Sequence, residues 1–229
     1  MVMSTIKAEI NWDWVKKELL AAEKIGSKKG VEPILDCMNA CLDKARTASE
    51  PQIVYCEKNI SSLQKSAIEI EAKITLSSGS LAAYLKNSEK ICAFVVTIGS
   101  NIEDAASRLM SEGEGLQGYL MDRIGSFAVE SLAQDLEEKL RDNYLEKKHS
   151  VSMRFSPGYC DWSIEEQLKL DKLIDFSAIG VSLTESCMMS PKKSISAIVG
   201  IGPLGLFPQK RKSPCVICSK KDCDYRRAV

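Results

Sequence analysis

The chain has 229 residues, 45% of them hydrophobic, which is enough to bury a sizeable core in one large or two small globular domains. Lysine and arginine together number 31, as do aspartate and glutamate, so the formal net charge is zero. This balance removes the broad attraction on which binding to nucleic acid or to an anionic membrane surface usually depends, and we expect neither as a partner.

The predicted elements begin with helices in the front third of the chain. Apolar residues recur at helical spacing from Asn11 and again after Pro33. Residues 66–74 (SAIEIEAKI) alternate as a half-buried strand does, although a helix is an alternative there. We therefore expect residues 1–90 to form a mainly helical N-terminal region of the same domain.

The middle of the chain combines a strand with long helices. Residues 91–99 (ICAFVVTIG) indicate a buried strand, and Asn101 with the acidic residues after it indicates a helix start. Residues 116–145 give the longest helical pattern of the chain. Gly125 within it weakens a helix by roughly 1 kcal/mol relative to alanine, so it marks either close packing or a ligand.

Beyond residue 150 the pattern changes to short strands around one helix. SVSMRF alternates as a strand does, and Ser163 with Glu166 forms a capping-box pattern for a helix to about Phe176. Two further strands are predicted in IGVSLTE and SISAIVGIG. The chain is thus predicted to be an α+β domain with a core over 91–207 and a cysteine-bearing tail over 208–229.

The segment at the amino terminus, MVMSTIKAEINWDW, lacks the apolar stretch of a signal peptide, and no run approaches the roughly eighteen apolar residues of a membrane span. We therefore expect a cytoplasmic protein whose nine cysteines stay reduced, some of them used for metal or redox chemistry. The single histidine, His149, excludes any mechanism or metal site that needs two imidazoles.

A glycine motif at 200–205 matches G-x-G-x-x-G after a predicted strand. Pro203 stands where a phosphate-binding amide is needed, no helical pattern follows, and too few residues remain for a dinucleotide-binding unit. We interpret these glycines as structural.

The tail carries Cys215, Cys218 and Cys223 in C-x₂-C-x₄-C spacing. Such a turn allows thiolates to face one ion, and a zinc ion or an iron–sulfur cluster needs a fourth ligand. Cys160 and Cys187 are the candidates for that ligand. The alternative is three free thiols in the tail.

Residues 154–167 (RFSPGYCDWSIEEQ) place an arginine, a Pro-Gly corner, a tyrosine and a cysteine just before the capped helix. Taken singly, Arg154 fits a salt bridge at a strand end, Tyr159 fits a packing residue, and Glu130 fits a solvated carboxylate on the long helix. Their joint arrangement follows a family pattern.

The sequence R-F-S-P-G-Y at 154–159, followed by L-T-E-S-C-M-M-S-P at 183–191 and a serine-rich strand start, resembles the activation (S-adenosylmethionine-binding) domain of cobalamin-dependent methionine synthase. The segment DRIGSFAVE at 122–130 resembles the long helix of that family, which brings a glutamate to the cofactor. The resemblance covers about 91–202 and implies an antiparallel sheet flanked by long helices.

The resemblance implies that Arg154 and Tyr159 contact S-adenosylmethionine, with Glu130, Gly158 and Glu185 completing the cofactor site and no catalytic residue of the chain's own. The residue types agree, because a guanidinium offers two parallel donors to the ligand carboxylate and a carboxylate favours its ammonium and sulfonium. We expect Arg154→Ala to weaken binding while leaving the fold intact.

The implied function is reactivation of a corrinoid methyltransferase, methionine synthase being the first choice, by reductive methylation of cob(II)alamin. Cobalamin would be carried by the partner, since the chain lacks the D-x-H-x-x-G motif, and an electron donor such as flavodoxin or ferredoxin would supply the electron. The chain would thus serve a methyltransferase system.

Two departures from the family pattern keep other functions open. The family's aromatic closing segment is replaced by GIGPLGLFPQKRKSPCVIC, and the cysteine tail resembles that of stand-alone relatives. One alternative is a metal-stapled docking module without S-adenosylmethionine binding. Another is a redox protein whose iron–sulfur cluster is the working part.

Overall fold

The structure is a computed structural model that describes residues 8–25, 30–71, 73–208 and 222. Helices and strands alternate irregularly along these ranges. The α-helices are Trp12–Ala22 (α1), Glu32–Ala48 (α2), Gly79–Tyr84 (α3), Asn101–Ser111 (α4), Gly115–Glu146 (α5) and Gln167–Ile174 (α6). The strands are Gln52–Leu63 (β1), Ala67–Ile70 (β2), Ile74–Ser77 (β3), Lys90–Thr97 (β4), His149–Val151 (β5), Ser182–Leu183 (β6), Met189–Ser190 (β7) and Ser194–Pro203 (β8). Short 3₁₀ helices occupy Ile164–Glu166 and Phe176–Ile179.

The main sheet has six strands in the order β3-β2-β1-β4-β8-β5, and each neighbouring pair runs antiparallel. Strands β6 and β7 form a separate small hairpin. The predicted α+β class, with an antiparallel sheet flanked by long helices, is confirmed.

Strand β4 lies at the centre of two hydrophobic cores. Phe94 and Val96 point into the first core, which α1, α2, α4 and α5 cover, whereas Ala93 and Val95 point into the second, which α3 and α6 cover. Side chains alternate between the faces of a strand, so a nearly continuous apolar run is needed when both faces are buried. The sequence KICAFVVT meets this requirement.

The long helix α5 packs closely against α4 at two glycines. A Cβ atom on Gly118 would lie 2.7 Å from Met110 Cγ and 2.9 Å from the Ala106 carbonyl oxygen. At Gly125 the nearest atom would be Ile102 Cγ2, at 3.0 Å. The sequence left close packing and contact with a ligand as two interpretations of Gly125, and the described residues show close packing.

The N-terminal region is less helical than the periodicity predicted. Helix α2 ends at Ala48, and β1, β2 and β3 follow it. Strand β1 pairs with β4 from Gln52 to Asn59. Its start at 53–55 has residue types that favour a strand, and the long-range pairing extends the strand through the polar residues that follow. The strand expected within 66–74 is present as β2 and the start of β3.

The glycines at 200–205 are structural in the described chain. Gly200 and Gly202 lie within β8, where a Cβ atom would come within 2.5 Å of the side chains of Leu85 and Leu206, respectively. Of the two strands expected near the end, β8 matches its prediction, whereas IGVSLTE contributes only the two residues of β6. No helix in the described ranges is both long and apolar enough to cross a bilayer.

Candidate functional site

The corner at 156–162 is a closed loop fixed to the sheet next to it. Phe155 exchanges two backbone hydrogen bonds with Ile198 of β8, at 2.8 and 2.9 Å. Gly158 has φ of 93°, a conformation that favours glycine, and its N–H donates to the Trp162 carbonyl at 2.7 Å. The corner is therefore held at both of its ends.

A carboxylate fastens the same corner to the start of α3. Asp161 accepts hydrogen bonds from the Ser78 hydroxyl at 2.7 Å and from the backbone N–H groups of Gly79 and Ser80 at 2.8 and 3.1 Å. Backbone N–H groups at a helix start have no partner within the helix, so Asp161 acts as a cap supplied from a distant loop.

Arg154 is buried against two carboxylates of α5. Its guanidinium contacts Glu130 and donates from Nη1 to Glu137 Oε2 at 3.4 Å, and its backbone N–H donates to Glu137 Oε1 at 3.2 Å. Glu130 and Glu137 lie seven residues apart, which is two helical turns, so both face the same side of α5. Arg141 also contacts Glu137, at 3.7 Å.

The two carboxylates keep Arg154 charged, although only 6% of the surface of this residue is exposed to solvent. Burial by itself lowers the pKa of a guanidinium, but the carboxylates of Glu130 and Glu137 outweigh that effect and raise the pKa of Arg154. The site thus contains a permanent positive charge between two acidic groups, in surroundings where electrostatic interactions are strong.

A cavity of about 200 Å³ lies beside this ion pair and opens to solvent. The corner, the long helix, the start of α6, the β6–β7 hairpin and the start of β8 each contribute to its wall. The lining residues are Glu130, Arg154, Ser156, Pro157, Tyr159, Ile164, Gln167, Cys187, Met188, Met189, Ser194, Ile195 and Ser196.

The structure brings three of the five predicted cofactor residues together. Glu130, Arg154 and Tyr159 all line the cavity, and the Tyr159 residue is 39% exposed at its surface. Gly158 shapes the corner but does not line the cavity, and Glu185 is exposed in the turn between β6 and β7, away from the lining.

Sequence reasoning missed Glu137, Gln167 and Ser196. The spacing of Glu137 from Glu130 was an available signal, since it predicts one shared helix face. Gln167 and Ser196 gave no such signal, because a polar residue at a helix start and a serine in an alternating strand both usually face solvent.

The predicted metal site falls mostly outside the described part of the chain, because Cys215, Cys218 and Cys223 all lie there. Of the proposed fourth ligands, Cys187 lines the cavity and Cys160 packs at the edge of the second core. Within the described ranges no three or more histidine, cysteine, aspartate or glutamate side chains gather closely enough to hold a metal ion.

Comparison with known proteins supplies a family and a fold. Residues 43–204 match the family model described as vitamin B12 dependent methionine synthase, activation domain. A crystal structure of the MetH reactivation domain bound to AdoHcy matches with a TM-score of 0.66 and 18% sequence identity, over 93% of this chain and 81% of that one. At this identity the likeness to the solved structure concerns the fold alone. No curated protein sequence matches the chain significantly.

Proposed function

Because the chain belongs to the family of vitamin B12 dependent methionine synthase activation domains, we propose that it binds S-adenosylmethionine in the cavity beside Arg154 and presents the methyl group to cobalamin on a partner. Family membership confirms the resemblance that the two sequence motifs indicated. It also implies interaction with a cobalamin-binding domain. The ligand, its contacts and the separate partner belong to the proposal.

The observation that carries the proposal is the buried ion pair in an otherwise largely apolar cavity wall. S-adenosylmethionine has a carboxylate, an ammonium and a sulfonium, so its binding site needs both signs of charge close together. Arg154 offers donors for the carboxylate, and Glu130 offers an acceptor for a cation. Burial strengthens both attractions relative to the same pair in water.

The ion pair between Arg154 and Glu130 sets a condition on binding. The amino-acid end of S-adenosylmethionine or S-adenosylhomocysteine brings one negative and one positive charge, so it extends the existing network without leaving either protein group unbalanced. The sulfonium of S-adenosylmethionine adds a second positive charge, which the carboxylates of Glu130 and Glu137 also favour. A ligand with a carboxylate alone would add a third negative charge near Arg154, beside Glu130 and Glu137. We therefore expect S-adenosylmethionine and S-adenosylhomocysteine to bind better than analogues without the amino group.

The size of the cavity agrees with a ligand that is only partly enclosed. Sites that bury a drug-sized ligand usually measure about 300–1,000 Å³, and this one holds about 200 Å³. The remainder of the ligand would lie at the open mouth, near the exposed Tyr159 and Met188. An open mouth is required if the methyl group is to approach cobalt on a second molecule.

In the proposed reaction, one electron from a donor of the flavodoxin or ferredoxin type would reduce cob(II)alamin to cob(I)alamin, and S-adenosylmethionine would give its methyl group to the cobalt and leave as S-adenosylhomocysteine. The chain's own contribution is to hold the donor in position, because small errors of placement strongly reduce the rate of a group transfer. In this proposal the corrinoid is carried by a cobalamin-binding domain with which the activation domain interacts.

The direct test is calorimetric titration of S-adenosylmethionine into the full chain and into Tyr159→Ala. Tyr159 contacts Phe155 edge-on, with ring centroids 6.3 Å apart, and its exposed ring can be removed with little effect on the core. We expect saturable binding that weakens about 10-fold in this variant. Tyr119→Ala, an exposed tyrosine on α5 outside the cavity lining, is the matched control and should bind as the wild type does.

Absence of binding at millimolar ligand would refute the proposal and favour the docking or redox alternatives. Binding would justify a second assay, in which cob(II)alamin on a corrinoid methyltransferase is methylated in the presence of a reductant. Metal analysis of anaerobically purified protein addresses the tail separately. Iron with sulfide would support electron transfer through Cys215, Cys218 and Cys223, whereas zinc would support a structural staple.

A further inference from the structure

Gln167, the first residue of α6, is a polar side chain in the cavity wall that the ion pair does not involve. The residue is 3% exposed, and its side-chain oxygen accepts a hydrogen bond of 2.6 Å from the Ser196 hydroxyl. Ser196 lies on β8 and is itself buried. The hydrogen bond therefore fixes the carboxamide between a helix and the central sheet.

The nitrogen of this carboxamide has two N–H donors to satisfy. Within 30–71 and 73–208, Ser196 is the one hydrogen-bond partner of the Gln167 side chain, and it engages the oxygen. Buried polar groups in proteins nearly always have a partner, and a donor that faces a cavity finds it in water or in a ligand. The carboxamide nitrogen therefore offers donors to whatever occupies the cavity.

Besides Ser196, several apolar side chains line the cavity together with Gln167. Ile164 precedes it by three residues, so the two side chains share one face of the helical segment, and both line the cavity. Met189 and Pro157 add further apolar surface to the same wall. A donor set among apolar side chains suits a flat heterocycle, which has apolar faces and hydrogen-bond acceptors at its edge.

We propose that the Gln167 Nε2 donates a hydrogen bond to a ring nitrogen of the ligand's adenine, which makes Gln167 a specificity-determining residue of the cavity. The proposal rests on the binding of S-adenosylmethionine proposed above. The charged end of the ligand belongs with Arg154 and Glu130. Of the uncharged parts, the adenine is the one that combines flat apolar faces with acceptor nitrogens at its edge, which suits a donor beside apolar side chains. The Ser196 hydroxyl donates to the carboxamide oxygen, and this hydrogen bond favours the orientation in which the carboxamide nitrogen is left for the ligand.

The test compares S-adenosylhomocysteine with its three deaza analogues, in each of which one acceptor nitrogen of the adenine ring is replaced by CH. Calorimetry gives the affinity of each for the wild type and for Gln167→Leu. We expect one analogue to bind the wild type about 10-fold more weakly than the parent does, the size of one lost hydrogen bond. Gln167→Leu should bind that analogue and the parent equally.

Two further variants keep the experiment decisive. Gln167→Glu preserves the shape and the acceptor for Ser196 but removes the donor, so it replaces Gln167→Leu if the latter does not fold. Ser196→Ala frees the carboxamide to rotate and should reduce the discrimination between the parent and the sensitive analogue. Circular dichroism and thermal unfolding verify that each variant is folded.

The outcomes separate this inference from the proposal on which it rests. If the wild type does not bind S-adenosylhomocysteine at all, the proposed function fails and this inference with it. If the wild type binds but no analogue is discriminated, or if Gln167→Leu discriminates as the wild type does, the role of Gln167 is refuted and the proposed function stands.

Discussion

Asp161 and Ser78 lie 83 residues apart in the sequence, and the Ser78 hydroxyl donates to Asp161 Oδ1 at 2.7 Å. Through this contact the corner at 156–162 and the start of α3 are one structural unit. Burial by itself raises the pKa of the Asp161 carboxyl, but hydrogen bonds from Ser78, Ser80 and Gly79 outweigh it and lower the pKa to about 2.

The first prediction follows from this shift. The folded-state pKa lies below the value of about 3.9 for an unfolded chain, so the stabilisation is complete above about pH 4 and declines as the pH falls towards 2. We expect Asp161→Asn to reduce the free energy of unfolding by about 1 kcal/mol at pH 6, with the difference shrinking at acid pH. Urea unfolding of the wild type and the variant, at pH values from about 6 to about 2.5, measures this difference in the free energy of unfolding. A difference that is constant with pH would contradict the prediction.

The second prediction concerns Arg154 and revises the expectation that Arg154→Ala leaves the fold intact. The substitution leaves Glu130 and Glu137 without the buried cation that pairs with them. Only 2% of the surface of Glu137 is exposed to solvent. We expect a loss of about 3 kcal/mol in the free energy of unfolding. Arg154→Lys keeps the charge without the planar guanidinium and should lose less. Urea unfolding of both variants provides the test, and a wild-type midpoint for Arg154→Ala would refute it.

The third prediction concerns the contact between α4 and α5. An added methyl group at Gly118 would overlap Met110 Cγ and the Ala106 carbonyl oxygen, and that backbone oxygen has no easy way to move. We expect Gly118→Ala to lower the free energy of unfolding by about 1–3 kcal/mol in spite of the better helix propensity of alanine. Gly115→Ala is the matched control, since no atom lies within 4 Å of its added Cβ, and it should leave stability unchanged or slightly higher. Equal stabilities for the two variants would contradict the packing argument.

The fourth prediction concerns thiol reactivity in α2. Burial, and then the neighbouring thiol of Cys37, raise the pKa of Cys41 to about 11, and Cys41 is only 1% exposed. Thiolate is the reactive form, and at pH 8 about one Cys41 molecule in a thousand would carry it. We expect iodoacetamide to modify the half-buried Cys37 in the native protein and Cys41 only after unfolding in urea. Peptide mass spectrometry after a short exposure to iodoacetamide measures the labelling of each cysteine. Equal labelling of Cys37 and Cys41 in the native protein would contradict the prediction.

Much of the fold could be predicted from periodicity alone. The 116–145 pattern corresponds to α5, and the apolar run at 91–99 corresponds to β4, because both elements are long and strongly patterned. Strand β1 was missed although Ile53, Val54 and Tyr55 favour a strand, because the rest of the segment is mostly polar and is kept in the sheet by pairing with β4 some 40 residues away.

The candidate site could be predicted only in part. The resemblance of the sequence motifs to the family predicted a role in the site for Arg154, Tyr159 and Glu130, and all three line the cavity. The burial of Arg154 was not predicted, because it depends on Glu137, one of three acidic residues in the run DLEEK. The seven-residue spacing from Glu130 favours Glu137 among these three, but spacing does not show which face of α5 is buried. Which of those carboxylates faces inwards is decided by how α5 packs on the sheet.

Strand β4 contributes side chains to both hydrophobic cores, and this links the stability of the helical layer to that of the cavity side. Because opening either core exposes one face of this shared strand, we expect the helical layer and the cavity side to unfold in a single cooperative transition. A ligand that binds only the folded chain would therefore also protect helices it never touches, and this protection grows with the logarithm of the ligand concentration once that exceeds the dissociation constant. In the same way, a defect at Gly118 lowers the concentration of binding-competent protein without altering any atom of the cavity.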